Sequence, residues 1–262
     1  NMKRFLLSLV ALVAVFSSKA TSVLIAVDMT GQTISANGVH IAGSFQAWDP
    51  AATAMTVIPT TQVYYYTYTT TTPGKIEFKF INGNSWNAPA VVESVPASAE
   101  VGGGNSNRWY VVDTSMTKDT VLVSFSGTTS SAFAALGYNK KYVRLRVNMA
   151  KTATIDPKGV LVAGMFNGWS DRTIMQNLVT SGKVYEAQFW LSAGTYEFKY
   201  KNGPSGWESV PTACATNGNR TITVASADVV NAAVCMNECS DCVLNLPKYK
   251  VTFNTDVTEE VT

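Results

Sequence analysis

The sequence predicts an all-β protein built as two tandem immunoglobulin-like (early-set) β-sandwich domains, and three observations lead there. The chain says the same thing twice, roughly 120 residues apart: VHIAGSFQAWDP returns as VLVAGMFNGWSD, and KIEFKFINGNSW returns as TYEFKYKNGPSGW. Helical periodicity is nearly absent, while short β-branched and aromatic stretches are bounded by Gly, Pro, Asn, Asp and Ser. Where alternation is clearest, in Lys75-Ile76-Glu77-Phe78-Lys79-Phe80, the apolar side chains point one way and the charged ones the other, the mark of a half-buried strand. Six or seven such strands in about 110 residues describe a sandwich of two packed sheets.

Taken in order, the first repeat offers strands over 23–29, 39–44, 62–69, 75–81, 108–113 and 121–125. The second offers matching strands over 142–149, 160–165, 183–191, 195–201, 220–224 and 229–235. Further landmarks keep their order, since Glu93-Ser94-Val95-Pro96 is matched by Glu208-Ser209-Val210-Pro211 and Asn107-Arg108 by Asn219-Arg220. The expected domains are 21–138 and 139–246. Their join near Gly137 to Lys141 is short enough to restrict relative motion. Residues 247–262 resemble the opening strand of both repeats and read as the first strand of a truncated third repeat, with Asn1 standing before Met2 in what reads as a frame cut from a longer protein.

Residues 1–20 read as a secretory signal peptide: Lys3-Arg4, an apolar run from Phe5 to Phe16, then the small-residue pattern Ser18-Lys19-Ala20. That run is well short of the ~20 residues a bilayer span needs, so no membrane span is expected in the mature chain. Removing Lys3, Arg4 and Lys19 turns 20 basic against 18 acidic residues into 17 against 18, which leaves no basic patch for nucleic acid. The expected location is secreted or cell surface. Cys214, Cys235, Cys239 and Cys242 then read as two disulfides rather than a zinc site. Of the three connectivities four cysteines allow, Cys214 with Cys235 and Cys239 with Cys242 is the expected one.

Catalysis is hard to assemble. The only histidine is His40, in a predicted strand where the second repeat has Leu161, so triads and histidine metal sites lack parts. Glu77, Glu93, Glu197 and Glu208 recur as the same pair in each repeat and read as solvated strand faces and salt bridges rather than a glycosidase pair. No enzyme activity, metal or cofactor is expected. Binding is better supported. Each repeat places one tryptophan just after a strand, Trp48 and Trp169, and another just beyond an Asn-Gly turn, Trp86 and Trp207. Lys79 and Lys199 lie on the polar face of the strand leading into that turn, with Asn105, Asn107, Asn217 and Asn219 nearby in sequence. Flat aromatic faces, amides and a lysine suit a sugar, whose ring has apolar C–H faces and a hydroxylated rim. Phe45 and Phe166 fall on the opposite phase and read as core.

The succession G-S-F-x-x-W, E-F-K-F/Y, Asn-Gly with a tryptophan, and a strand opening at Asn-Arg resembles the glycogen-binding domain of the AMP-activated kinase beta subunit and the related family 48 and family 20 starch-binding modules. The resemblance covers nearly all of both repeats. It implies an α-glucan as the partner, stacked on two tryptophans, with the lysine contacting hydroxyls and an asparagine completing the site. Carried over by position, the residues are Trp48, Lys79, Trp86 and Asn107 in the first repeat, and Trp169, Lys199, Trp207 and Asn219 in the second. The longer segment after Trp86 and the Gly102-Gly103-Gly104 insertion depart from the pattern. The arrangement also resembles tandem repeats in exported proteins of the Bacteroidetes type. That implies the alternative, a structural or adhesive segment whose partners are neighbouring repeat domains or chains.

Overall fold

A computed structural model of the chain describes residues 20–102, 105–177 and 182–242. The expected leader, apart from Ala20, and the expected third-repeat strand lie outside the described residues. The described residues are all-β in character and form four sheets. The N-terminal half contributes β1 (Thr21–Asp28), β2 (Val39–Gly43), β3 (Thr56–Val57), β4 (Val63–Thr70), β5 (Gly74–Asn82), β6 (Val91–Val92), β7 (Glu100–Gly102), β8 (Asn105–Val112) and β9 (Lys118–Ser124). The C-terminal half contributes β10 (Lys140–Asn148), β11 (Val160–Gly164), β12 (Val184–Ser192), β13 (Gly194–Asn202), β14 (Arg220–Val224), β15 (Val229–Val230) and β16 (Val234–Cys235).

The pairings repeat as the sequence does. In the first half one sheet runs β3-β4-β1-β9 and the other β2-β5-β8-β7, with β6 also on β5. In the second half the sheets run β12-β10-β15, with β16 also on β10, and β11-β13-β14. Each opening strand is antiparallel to one neighbour and parallel to the last strands of its half, β1 to β9 and β10 to β15 and β16. Among the described residues no sheet joins strands from before and after Lys140. The segment expected as one strand over 229–235 is two short pieces, because 231–233 leave the ladder between them.

Alternation explains the cores. Ile76, Phe78 and Phe80 of β5 are buried against Val23, Ile25 and Val27 of β1, while Phe198 and Tyr200 of β13 do the same in the second half. Phe45 and Phe166 pack against these cores from the edge, Phe166 with its ring centroid 4.3 Å from that of Phe189. Two buried ion pairs brace the sheets. The Arg108 guanidinium donates to Glu93 and Arg220 to Glu208, each with an Nη2–Oε2 distance of 2.7 Å. Glu93 and Glu208 are therefore not on solvated faces. Each also accepts a backbone N–H, from Phe80 and Tyr200, which is why the Glu-Ser-Val-Pro and Asn-Arg landmarks recur together.

A short helix, α1 (Ala132–Ala135), precedes the join, and the two halves share a packed junction. Tyr142 and Trp190, partners across β10 and β12, belong to the N-terminal core. Trp190 lies 6.0 Å from Tyr110 between ring centroids, and its indole N–H donates to the Leu122 carbonyl at 2.8 Å. Tyr142 donates to the Ser98 carbonyl, and its burial pushes the phenol well above the usual tyrosine range.

The disulfides correct the expected pairing: Cys214 joins Cys239 and Cys235 joins Cys242, with no free cysteine among the described residues. Cys235 is fully buried at the end of β16, held beside Asn148 of β10. Its N–H donates to the Ser240 carbonyl, which turns the chain back so that Cys242 arrives with its Cα 4.7 Å away. The same turn presents Cys239 to the loop of Cys214, where Asn237 accepts from the Ser209 N–H. Completing the sheet thus takes Cys235 away from Cys214.

Candidate functional site

The corner after β2, and its counterpart after β11, is built the same way in both halves. The chain makes one 3₁₀ turn, Ser44–Gln46 or Met165–Asn167, and then two residues in the left-handed region: Ala47 and Trp48 at φ 57° and 60°, Gly168 and Trp169 at 62° and 60°. The tryptophan N–H closes the turn on the glycine carbonyl five residues back, Trp48 on Gly43 at 3.1 Å and Trp169 on Gly164 at 2.9 Å. Left-handed backbone is costly for a bulky side chain, and glycine at 168 removes one of the two penalties that Ala47 and Trp48 carry in the first corner. Gly164 is also required for close approach, since a Cβ there would lie 2.6 Å from that of Phe198.

These corners bring the tryptophans together in pairs. The ring centroids of Trp48 and Trp86 are 6.5 Å apart at 43°, and those of Trp169 and Trp207 are 6.2 Å apart at 52°. The indole N–H of Trp86 donates to the Trp48 carbonyl at 3.3 Å. Trp86, Trp169 and Trp207 are 38%, 37% and 46% exposed, and Trp48 is half-buried. Tryptophan that is packed for stability behaves otherwise in this same chain: Trp109 and Trp190, at the junction, are 1% and 4% exposed. Four indoles thus keep solvent-facing surface that the fold does not use.

The polar residues around them divide. Lys79 on β5 and Lys199 on β13 are both half-buried, and the Lys79 ammonium donates to Ser106 at 3.1 Å. Alternation puts Lys199 on the same face as Lys201, over which Trp207 lies, so the lysine and the indole platform share one face. The asparagines turn inward to the sheet's own carboxylates. Asn107 donates to Glu77 at 3.2 Å, while Asn219 and Asn217 donate to Glu197 at 2.8 and 2.9 Å. Their amide N–H groups hold Glu197 below the usual carboxylate range, Asn219 contributing most. What Asn107 and Asn219 retain toward a ligand is their amide oxygen and the second N–H of the amide.

Sequence reasoning missed the second platform's foundation. Lys201 is 1% exposed beneath Trp207, its ammonium 3.8 Å from the ring centroid and paired with Asp171. The corresponding residues of the first half are Ile81 and Pro50, so the charge is a property of one platform only. The alternation K-Y-K, where the first repeat has K-F-I, is the signal that could have shown it. His40 is buried on β2 opposite Ile81, and its Nδ1 is without a hydrogen-bond partner among the described residues. Among those residues, no group of three or more His, Cys, Asp or Glu side chains converges as a metal site would require.

No protein-family model matches the chain, and no curated protein sequence does. Among solved structures it is similar to a family 26 carbohydrate-binding module from Eubacterium rectale in complex with maltoheptaose, at 11% identity and a TM-score of 0.24, covering 82% of this chain and 94% of that one. It is similar to family 41 carbohydrate-binding modules from streptococcal virulence factors described for α-glucan recognition, at 9% identity and a TM-score of 0.24, covering 83% and 95%. It is also similar to a streptococcal ancillary pilin, at 13% identity and a TM-score of 0.19, covering 83% of this chain and 63% of that one. Scores this low establish no common superposition, and the functional reading rests on the residues themselves.

Proposed function

We propose that the chain is a non-catalytic polysaccharide-binding protein in which 21–138 and 139–246 act as tandem modules, each presenting an indole pair to an α-glucan. The observation that carries this reading is the pair of exposed indole platforms at matched corners, with a lysine on the neighbouring strand. An indole face covering roughly 100 Å² of apolar surface contributes about 2.5 kcal/mol, so two faces give about 5 kcal/mol before hydrogen bonds. Association and ordering cost at least about 4 kcal/mol of that. That leaves about 1 kcal/mol from stacking, so a single platform reaches the millimolar range, on the order of −4 kcal/mol, only with about 3 kcal/mol from hydrogen bonds made by the lysine and the amides. Two platforms on one long polymer would bind ~100-fold better if both can face it. Trp48, Lys79, Trp86 and Asn107, with Trp169, Lys199, Trp207 and Asn219, are the proposed contacts. The two disulfides support export to an oxidising compartment.

Retention on insoluble starch, beside cellulose and chitin, tests the proposal. Retention on starch that disappears when all four tryptophans become alanine is the expected result. No retention on any of the three would favour the second reading, a structural or adhesive repeat segment. The observation behind that reading is the junction packed with Tyr110, Tyr142 and Trp190, which would make the two repeats a stiff unit of an array.

A further inference from the structure

We infer that the N-terminal half forms part of the C-terminal platform, with Asp113 as the positioning residue for Trp169. This rests on the reading of Trp169 and Trp207 as a binding surface. Asp113 follows β8 and is 5% exposed. Its carboxylate accepts from the Thr173 hydroxyl at 2.6 Å and from the Ser170 hydroxyl at 3.3 Å, both of them in the loop that carries Trp169. From Thr173 the chain of hydrogen bonds runs on without a gap. The Asn167 amide donates to Thr173 Oγ1 at 3.0 Å, the Gly164 N–H donates to Asn167 Oδ1 at 2.9 Å, and the Trp169 N–H donates to the Gly164 carbonyl at 2.9 Å. A second strut lies beside it, from Arg172 Nη1 to Thr114 Oγ1 at 2.7 Å. The Ser115 N–H and hydroxyl hold Asp113 from its own side.

The first corner shows the contrast. Gln46 stands where Asn167 stands, and its Oε1 is buried without a hydrogen-bond partner among the described residues. A carboxylate that accepts several hydrogen bonds in a water-poor site makes them strong and mutually dependent, so the corner of Trp169 is fixed by a group from the other half of the molecule. The platform that a ligand meets at Trp169 and Trp207 is therefore complete only with the junction intact.

The test uses the full chain with Trp48→Ala and Trp86→Ala, so that the second platform alone is read. Two indoles this close couple their electronic transitions, and the resulting circular-dichroism couplet reports their mutual orientation without any sugar present. Asp113→Ala and Thr173→Val should each reduce the couplet and weaken retention on amylose roughly tenfold, the effect of losing hydrogen bonds to a charged group. Asp113→Asn, which keeps an acceptor oxygen for Thr173, should recover most of both. If Asp113→Ala unfolds the protein, Thr173→Val decides, because it removes only the hydroxyl. An unchanged couplet in folded Thr173→Val overturns the inference. A couplet that falls in a protein with no amylose retention at all would leave the strut standing and defeat the binding proposal instead.

Discussion

The ammonium of Lys201 lies under the Trp207 ring, buried from water, and shares its charge with Asp171, which is itself partly solvated. The two partners are thus unequal, because removing Asp171 strands a buried cation whereas removing Lys201 leaves a carboxylate that water can reach. Asp171→Ala should cost about 3 kcal/mol, near the range for breaking a buried pair, and Lys201→Ile, which installs the first repeat's residue, clearly less. Urea unfolding of the two variants checks the order. Equal losses would show that the indole, not Asp171, is the ammonium's main partner.

Glu208 should matter more than Glu197, although both are glutamates of the second half. Glu208 is fully buried on Arg220, so Glu208→Ala is expected to cost about 3–5 kcal/mol. Glu197→Ala, on the outer face, should cost clearly less, because water replaces the amide hydrogen bonds it loses. Denaturant midpoints at constant slope measure both.

Glu197 should titrate below the usual glutamate range of about 4.3. Its folded value is depressed by the Asn219 and Asn217 amides, so the stabilisation it brings is present above the unfolded value and is lost as pH falls through the folded one. Carbon-13 NMR of the carboxyl group should show the midpoint rising in Asn219→Ala and less in Asn217→Ala. A larger rise in Asn217→Ala would reverse the assignment of the main donor.

Peptide mapping without reduction should recover Cys214 with Cys239 and Cys235 with Cys242. In the chain-entropy picture the first closes a separation of 25 residues and contributes about 3.5 kcal/mol, the second a separation of 7 and about 2.4 kcal/mol. Cys214→Ala/Cys239→Ala should therefore lower the melting temperature more than Cys235→Ala/Cys242→Ala.

Trp190→Ala should uncouple the halves. The indole is almost wholly buried between Tyr110 and Tyr142, and its removal should cost about 3–5 kcal/mol at the junction. Calorimetry should then show two transitions in place of one, with the C-terminal half melting first. A single transition merely shifted downward would mean that the other junction contacts suffice.

Most of the strands could be read in advance because a sheet with one wet face writes its alternation into the sequence, as Ile76, Phe78 and Phe80 do, and because each reading could be checked against its repeat. The indole pairs were legible for the same reason. Pairings set by tertiary closure were not. Cys235 and Cys242 meet because β16 docks on β10 and the chain then turns at Ser240, a relationship that spacing alone does not contain. That Glu77 and Glu197 accept from the amides of Asn107 and Asn219 was not legible either, because it depends on which residues lie side by side across two strands. The strut from Asp113 to Thr173 spans 60 positions and has no counterpart in the first repeat against which to recognise it.

The parallel pairing of first and last strands has a mechanical meaning. A strand that enters β1 at one pole and a strand that leaves β9 at the other are neighbours along seven registered positions, from Ser22 with Lys118 to Asp28 with Ser124. Tension on the two ends of this half pulls those neighbours past each other, so their hydrogen bonds are loaded in shear together rather than unzipped one at a time. In the second half the equivalent ladder holds at only four registered positions, Val143, Arg144, Val147 and Asn148. Both cystines sit just where that shorter clamp ends, so a force that outruns the hydrogen bonds there meets covalent sulfur next.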